Sequence, residues 1–302
     1  VLATVAGVRD LLPEPGEDGP LPTSVGRVVD DALAALLPLL DELRDGPLSR
    51  SGRTAHEVKG DGTPVTPTDV LVDEHITALA ARRFPAHDVV SEELDPVAGE
   101  AEWHWVVDPV DGTSNFAAGL PHWAVSVALC HEGRPVLGVV DAPDLDSRWV
   151  AVAGRGTTRD GTAVRTRAVE RVDDPIGAHL PLLTTFGMLA RVRRDGGVRL
   201  NPRVLGATAV DHTLVADGVA VAAIGLGPKV WDVAAAALLV VEAGGATLTF
   251  GRRTPLLPLV PGTDYAHRSA PAFSAASPAL ARDLVTRLTP EDGWPARLVD
   301  DE

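Results

Sequence analysis

The segment Asp108-Pro109-Val110-Asp111-Gly112-Thr113-Ser114-Asn115-Phe116 constrains this chain more than any other. It follows the apolar run Trp103–Val107, which reads as a strand, so it falls where a strand ends and the chain turns. Two aspartates with Pro109 between them and Gly112 after bring two carboxylates onto one tight loop. Hard cations such as Mg²⁺ take oxygen ligands, commonly one or two carboxylates with water and phosphate oxygens. The Val110 carbonyl is placed to join them. Residues after Gly112 can open a short helix whose backbone N–H groups favour a phosphate, and Gly112 lets a ligand approach closely. Taken alone, the segment also fits a solvated Asp-rich turn.

Three further acids stand in suggestive places. Ser91-Glu92-Glu93 follows a strand predicted over His87–Val90, although adjacent glutamates are ordinarily surface charge. Asp232, after Trp231, opens the apolar helix Val233–Val241 and by itself is explained as a helix-start charge. Asp69 is explained as part of a cap. In Thr66-Pro67-Thr68-Asp69, Thr66 can cap, Pro67 fits the first helical position, and the spacing matches a capping box. That helix is expected to run to about Arg83.

Composition narrows the partners. The 302 residues, 45% of them hydrophobic, fit one large domain or two ordinary ones with a buried core. A formal charge of −15 argues against nucleic acid and anionic membrane as partners. Cations held locally can still reverse the field inside a site. The single cysteine, Cys130, excludes an intrachain disulfide and is expected as a core thiol in a reducing cytoplasm. No signal peptide is expected at Val1–Val8, and no apolar stretch of about 18 residues reads as a membrane span. The nine histidines show no zinc spacing; His104 and His122, which flank the metal loop, read as packing or surface residues. No nucleophile elbow or P-loop lysine is found.

Along the chain, residues 1–23 read as a flexible lead-in rich in Pro, Gly and acid. Ser24 is expected to cap a helix to about Leu43, kinked or shortened by Pro38. Trp123–Cys130, Pro135–Val140 and Trp149–Ala153, with turns at Glu132-Gly133 and Asp144–Ser147, predict an antiparallel meander. Gly154-Arg155-Gly156 has no helix pattern after it and reads as a turn. After about Thr166 the pattern becomes alternating α/β, with helices over 206–217, 230–243 and Pro278–Leu288 and strands over Val219–Ile224, Ala246–Phe250 and Phe273–Ala275. The expected division is an α+β domain over 24–166, an α/β domain over 167–288, and an acidic tail over 289–302.

These positions, in this order, resemble the inositol monophosphatase family of magnesium-dependent, lithium-sensitive phosphatases. The most specific pieces are DPVDGTSNF (108–116) and WDVAAAALLVVEAGG (231–245). Support comes from VTPTDVLVDEHI (65–76), SEE (91–93) and the stretch over 138–166. The resemblance implies an α/β chain folded as a layered αβαβα sandwich, with two or three Mg²⁺ ions per site and a homodimer. By motif match, Glu92, Asp108 and the Val110 carbonyl hold the first metal. Asp108, Asp111 and Asp232 hold the second, and a weaker third lies near Glu92. Glu92 and Thr113 orient the attacking water, Asp69 polarises Thr113, and the N–H groups of Gly112 and Thr113 grip the phosphate. Lys59 matches a basic position of the family and reads equally as a surface lysine.

The alcohol-facing side departs from the family. Ser91 replaces a usual Gly, Val221 and Gly225 stand where acids are common, and Gly206-Ala207-Thr208 replaces a Gly-Ser-Ala run. A site built to bond hydroxyls loses discrimination without its partner groups. The expectation is therefore a phosphomonoesterase for a small phosphorylated metabolite, with inositol 1-phosphate not preferred. Asp232 and Ala207 are the further substrate-facing positions. Histidinol phosphate, a sugar phosphate and a nucleotide 3′-phosphate stay open. A bisphosphate phosphatase would need basic groups, for which Arg191, Arg193, Arg194 and Arg203 are candidates. A non-catalytic metal-binding member is a further alternative, opposed by the complete set of acids, which without cations would repel one another.

Overall fold

The computed structural model describes residues 9–12, 21–49, 57–58, 64–171, 180–184, 192–194, 201–249 and 255–290. Lys59, Arg191 and most of the expected lead-in and tail lie outside these, and the side chains of Arg193 and Arg194 are not described.

Helix α1 spans Thr23–Asp45 and α2 spans Pro67–Arg83. Pro38 sits inside α1 without ending it. The lost hydrogen bond is outweighed by the buried stripe of Val29, Ala32, Leu36, Leu40 and Leu43, which packs the whole helix down. Pro22 rather than Ser24 occupies the N-cap, and no side chain caps it. At α2 the expectation holds: the Thr66–Asp69 capping box is complete and Pro67 opens the helix.

A seven-stranded sheet follows. Its strands are β1 (Asp88–Ser91), β2 (Trp103–Asp111), β3 (Ala124–His131), β4 (Arg134–Ala142), β5 (Ser147–Val152), β6 (Gly156–Arg159) and β7 (Thr162–Val164). They lie in chain order, β1 parallel to β2 and every later pair antiparallel. The meander turns carry positive φ at Glu132-Gly133 (49°, 76°) and Asp160-Gly161 (49°, 77°), the geometry that matches strand twist in two-residue hairpins. Strand β2 runs past Val107 to Asp111, with a register shift between Asp108 and Asp111. Pro109 has no N–H for the ladder, so a bulge falls there.

The second sheet is mixed and has six strands. It contains β8 (Pro181–Thr184), β9 (Asn201–Arg203), β10 (Ala222–Gly225), β11 (Ala246–Thr249) and β12 (Ala272–Ala275). Arg9–Asp10 add an edge strand antiparallel to β11, and Leu11 and Leu12 behind them are buried at 4% and 7% exposure. This part of the expected lead-in is therefore docked. Strand β10 starts later than predicted because the N–H groups of Val219 and Ala220 both bond to the Leu214 carbonyl, closing a turn.

Helices α3 (Thr113–Ala118), α4 (Thr208–Ala216), α5 (Val230–Glu242) and α6 (Pro278–Arg287) complete the main framework. After α6 the chain continues as Leu288–Pro290, paired antiparallel with Val192–Arg194. One face of the first sheet, with Trp105, Val107, Val125, Val127 and Leu137, packs on α1 and α2. Its other face, with Val106, Ala128 and Val140, packs with α4, α5 and the second sheet. The order is the expected αβαβα sandwich. Helix α5 is apolar on every side because both sheets cover it.

Gly138 on β4 lets α5 approach: a Cβ there would lie 2.7 Å from the Ala235 carbonyl oxygen and 3.1 Å from its Cα. Gly138→Ala is expected to destabilise the fold by about 1–3 kcal/mol through overpacking, measured by urea unfolding.

Candidate metal-dependent active site

Two elements converge at one end of the first sheet. The bulge at the end of β2 presents Asp108 and Asp111, and the first turn of α5 presents Asp232. Each offers a carboxylate oxygen, and the three oxygens lie within 4.8 Å of one another. Asp232 fits its local explanation as well, since its carboxylate accepts the Lys229 N–H at 2.8 Å. Asp111 has a second duty that the sequence did not suggest. Its carboxylate accepts the N–H groups of Thr208 (2.9 Å), Ala209 (2.8 Å) and Val210 (3.3 Å), the open start of α4.

Burial and mutual repulsion hold these acids far from their ordinary state. Burial raises Asp108 most, followed by the charges of Glu92, Asp111 and Asp232. Burial also raises Asp111, with Asp232 adding to it and the α4 N–H groups opposing. Asp232 is pushed up to about 7 by burial and by Glu92. An all-oxygen cluster of like charges, with Asp108 and Asp111 buried and Asp232 half-buried, is the donor set a hard divalent cation suits.

Glu92 lies outside the trio of converging oxygens but near enough to raise Asp108 and Asp232. Its backbone N–H bonds to the Val107 carbonyl at 3.2 Å. The Val110 carbonyl accepts the Thr113 hydroxyl at 3.0 Å, and the Val110 N–H donates to Asp108 at 3.1 Å. The Thr113 hydroxyl also lies 3.0 Å from Asp69 Oδ1, so one hydroxyl faces two acceptors. Burial raises the Asp69 pKa, against hydrogen bonds from Thr66 and Thr113. Gly112 turns the chain into α3 with φ 86°, and a Cβ there would lie 2.9 Å from the Ala207 Cβ. Ala207 is itself buried beneath this turn.

Other residues were not singled out for what they do here. Asn115 donates to the carbonyls of His122 and Leu205, both at 2.7 Å, stapling the metal loop to the segment before α4. His122, expected as packing or surface, lies 2.9 Å from Asp211 on α4. Asn115–Leu205 and His122–Asp211 join segments about 90 residues apart, and only Asn115, inside the 108–116 motif, carried any signal. His104 is buried, with Nε2 3.1 Å from the Gly99 carbonyl, as a packing residue would be.

Carboxylates gathered for a hard cation beside a hydroxyl–carboxylate pair, at the junction of two sheets, mark a metal-dependent hydrolase. The family model for the inositol monophosphatase family matches residues 28–287. A histidinol-phosphatase of Mycobacterium tuberculosis is 35% identical over 195 residues, covering 63% of this chain and 75% of that protein. A fructose-1,6-bisphosphatase/inositol-1-monophosphatase of Aquifex aeolicus is 30% identical over 222 residues, covering 70% and 81%. Among solved structures, an IMPase/NADP phosphatase complexed with Mg²⁺ and phosphate superposes with TM-score 0.67 at 20% identity, covering 89% of this chain and 96% of that one. The chain belongs to the inositol monophosphatase family. It is a metal-dependent phosphoric monoester hydrolase acting on small phosphorylated substrates. Among the described residues no helix is long and apolar enough to cross a membrane.

The raised pKa values carry a stability consequence with a definite sign. Asp232 binds its proton more tightly folded than unfolded, so its stabilising share is full below about pH 4 and is lost as pH rises through about 7. In metal-free buffer, Asp232→Asn is expected to raise the melting temperature by about 5 °C at pH 8 and by much less at pH 5. Saturating Mg²⁺ should stabilise the parent protein at pH 8 and the variant far less, read by differential scanning calorimetry.

Proposed function

We propose that this chain hydrolyses a small phosphorylated metabolite with two or three Mg²⁺ ions, and that inositol 1-phosphate is not its preferred substrate. The observation that carries the catalytic part is the convergence of Asp108, Asp111 and Asp232 beside the Thr113–Asp69 hydrogen bond. In this reading Glu92, Asp108 and the Val110 carbonyl hold one ion, and Asp108, Asp111 and Asp232 hold another. Bound Mg²⁺ supplies Lewis-acid stabilisation of the phosphoryl and leaving oxygens and lowers the pKa of the attacking water. The protein's own groups do the positioning. Thr113 and Glu92 orient the water for in-line attack, and Asp69 polarises the Thr113 hydroxyl by accepting its hydrogen bond. Gly112 and Thr113 offer backbone N–H groups to the phosphate, and Asp232 faces the substrate side.

The alcohol preference follows from what the chain lacks. Gly225 has no side chain to bond a hydroxyl, and the Ala207 methyl group, expected to face the substrate, is instead buried beneath the Gly112 turn. Similarity to the histidinol-phosphatase supports an amino-alcohol phosphate as the first ester to try. A bisphosphate substrate has weaker support: Arg203 is exposed and donates to Asn201 and the Pro202 carbonyl in its own strand. The same reading carries a homodimer in a reducing cytoplasm, consistent with the buried free thiol of Cys130.

Phosphate release from inositol 1-phosphate, histidinol phosphate, sugar phosphates and adenosine 3′,5′-bisphosphate, with and without Mg²⁺, tests this. Metal-dependent release is expected, with Asp108→Asn slower by about 1,000-fold, the equivalent of several kcal/mol of lost charge stabilisation. A higher kcat/KM for inositol 1-phosphate than for every other ester would sink the specificity claim.

A further inference from the structure

Asp73 is a wholly buried acid that the proposed chemistry does not use. It follows Asp69 by one turn of α2, so the two carboxylates leave the same helix face about 6 Å apart along the axis. They reach different parts of the site. Asp69 Oδ1 accepts the Thr113 hydroxyl on the metal loop at 3.0 Å. Asp73 Oδ2 accepts the Glu93 N–H at 3.1 Å, and the Ser91 hydroxyl bonds to Asp73 as well. Ser91 Oγ in turn accepts the N–H groups of Leu94 (3.3 Å) and Asp95 (3.2 Å), and the Ser91 N–H bonds to the Asp95 carbonyl at 2.7 Å. Glu92 is thus held between two residues anchored to Asp73, while its own N–H is tied to β2.

We infer that α2 is a ruler for the reaction: Asp69 and Asp73, one turn apart, fix the separation of Thr113 and Glu92, which makes Asp73 a positioning residue. This rests on the roles given above to Thr113 and Glu92. A helix is stiff over one turn, so the spacing of its two carboxylates passes directly to the groups they hold. Misplacing a reacting group by about 1 Å can cost about 100-fold in rate. Reach, more than charge, is therefore what Asp73 contributes.

The test compares Asp73→Glu, Asp73→Asn, Asp73→Ala and Thr77→Val by steady-state kinetics and by calorimetric titration with Mn²⁺. Thr77 donates to the other Asp73 oxygen at 3.2 Å, away from the Glu92 turn. Asp73→Glu keeps the charge but lengthens the arm, and should lower kcat by about 10- to 100-fold with substrate KM within about twofold. Asp73→Asn keeps reach and an acceptor and should retain kcat within about fivefold, and Thr77→Val within about twofold. Asp73→Glu is also expected to weaken Mn²⁺ binding by about tenfold. The idea is overturned if Asp73→Glu and Asp73→Ala keep kcat within about twofold per folded molecule, counted by circular dichroism. Should the Asp73 variants not fold, Ser91→Ala carries the test: about a tenfold fall in kcat supports the ruler, and unchanged kcat refutes it. If the parent protein releases no phosphate from any ester, the phosphatase assignment fails separately. The Mn²⁺ affinities then decide, and equal values in parent and Asp73→Glu overturn the ruler.

Discussion

The Asp111 carboxylate accepts backbone N–H groups from three successive residues at the start of α4. The contact joins the first sheet directly to the helix packed behind it. It sets an anion from the first sheet against the positive end of a helix from the second layer, where the dipole and the unpaired N–H groups both favour it. It also spends part of the charge that would otherwise repel Asp108 and Asp232. Asn115 and the His122–Asp211 pair add contacts along the same seam, so the metal loop and α4 are placed as one unit. A cation bound among these acids would remove the remaining repulsion, which ties metal binding to the stability of the seam.

The opposite wall of the site depends on close packing. Helix α5 carries Asp232 in its first turn and lies between the sheets. Its consecutive alanines, Ala234 to Ala237, and Gly138 opposite them allow the backbones to approach. Larger side chains at that contact would move the Asp232 carboxylate away from Asp108. Dense packing of small residues is therefore part of what sets the geometry of the acid cluster.

The two halves of the site differ in how they recognise a substrate. The phosphate half is charged, tightly bonded and shaped by backbone groups. In the proposed reading the alcohol half lies near Gly225, which brings no side chain to it. Such an arrangement discriminates through shape and exclusion more than through hydrogen bonds to hydroxyls, which is a weaker source of specificity. That contrast separates the chemistry, which the fold family shares, from the substrate, which each member must define for itself.

Much of this was legible in the chain itself. The capping box at Thr66–Asp69, the hairpins at Glu132-Gly133 and Asp160-Gly161, the turn at Gly112 and the start of α5 are decided by residues within a few positions of one another. Local sterics and hydrogen bonding suffice there, and the acids of the site could be named from their motifs. Other features depended on packing between distant segments. Pro38 argued for a kinked or shortened helix, yet the buried stripe of α1 carries the helix on to Asp45. Leu11 and Leu12 sit in a polar, Pro-rich stretch but dock beside the second sheet. Nothing in the local sequence marked Asp73, and Asp111 was expected as a metal ligand alone. Their partners, the Glu93 N–H and the start of α4, lie 20 and about 100 residues away. The sequence alone determined which residues are candidates for the chemistry, because motif spacing and helix signals act locally. Only the tertiary structure decided which of them meet, because that depends on how two sheets and the helices between them pack.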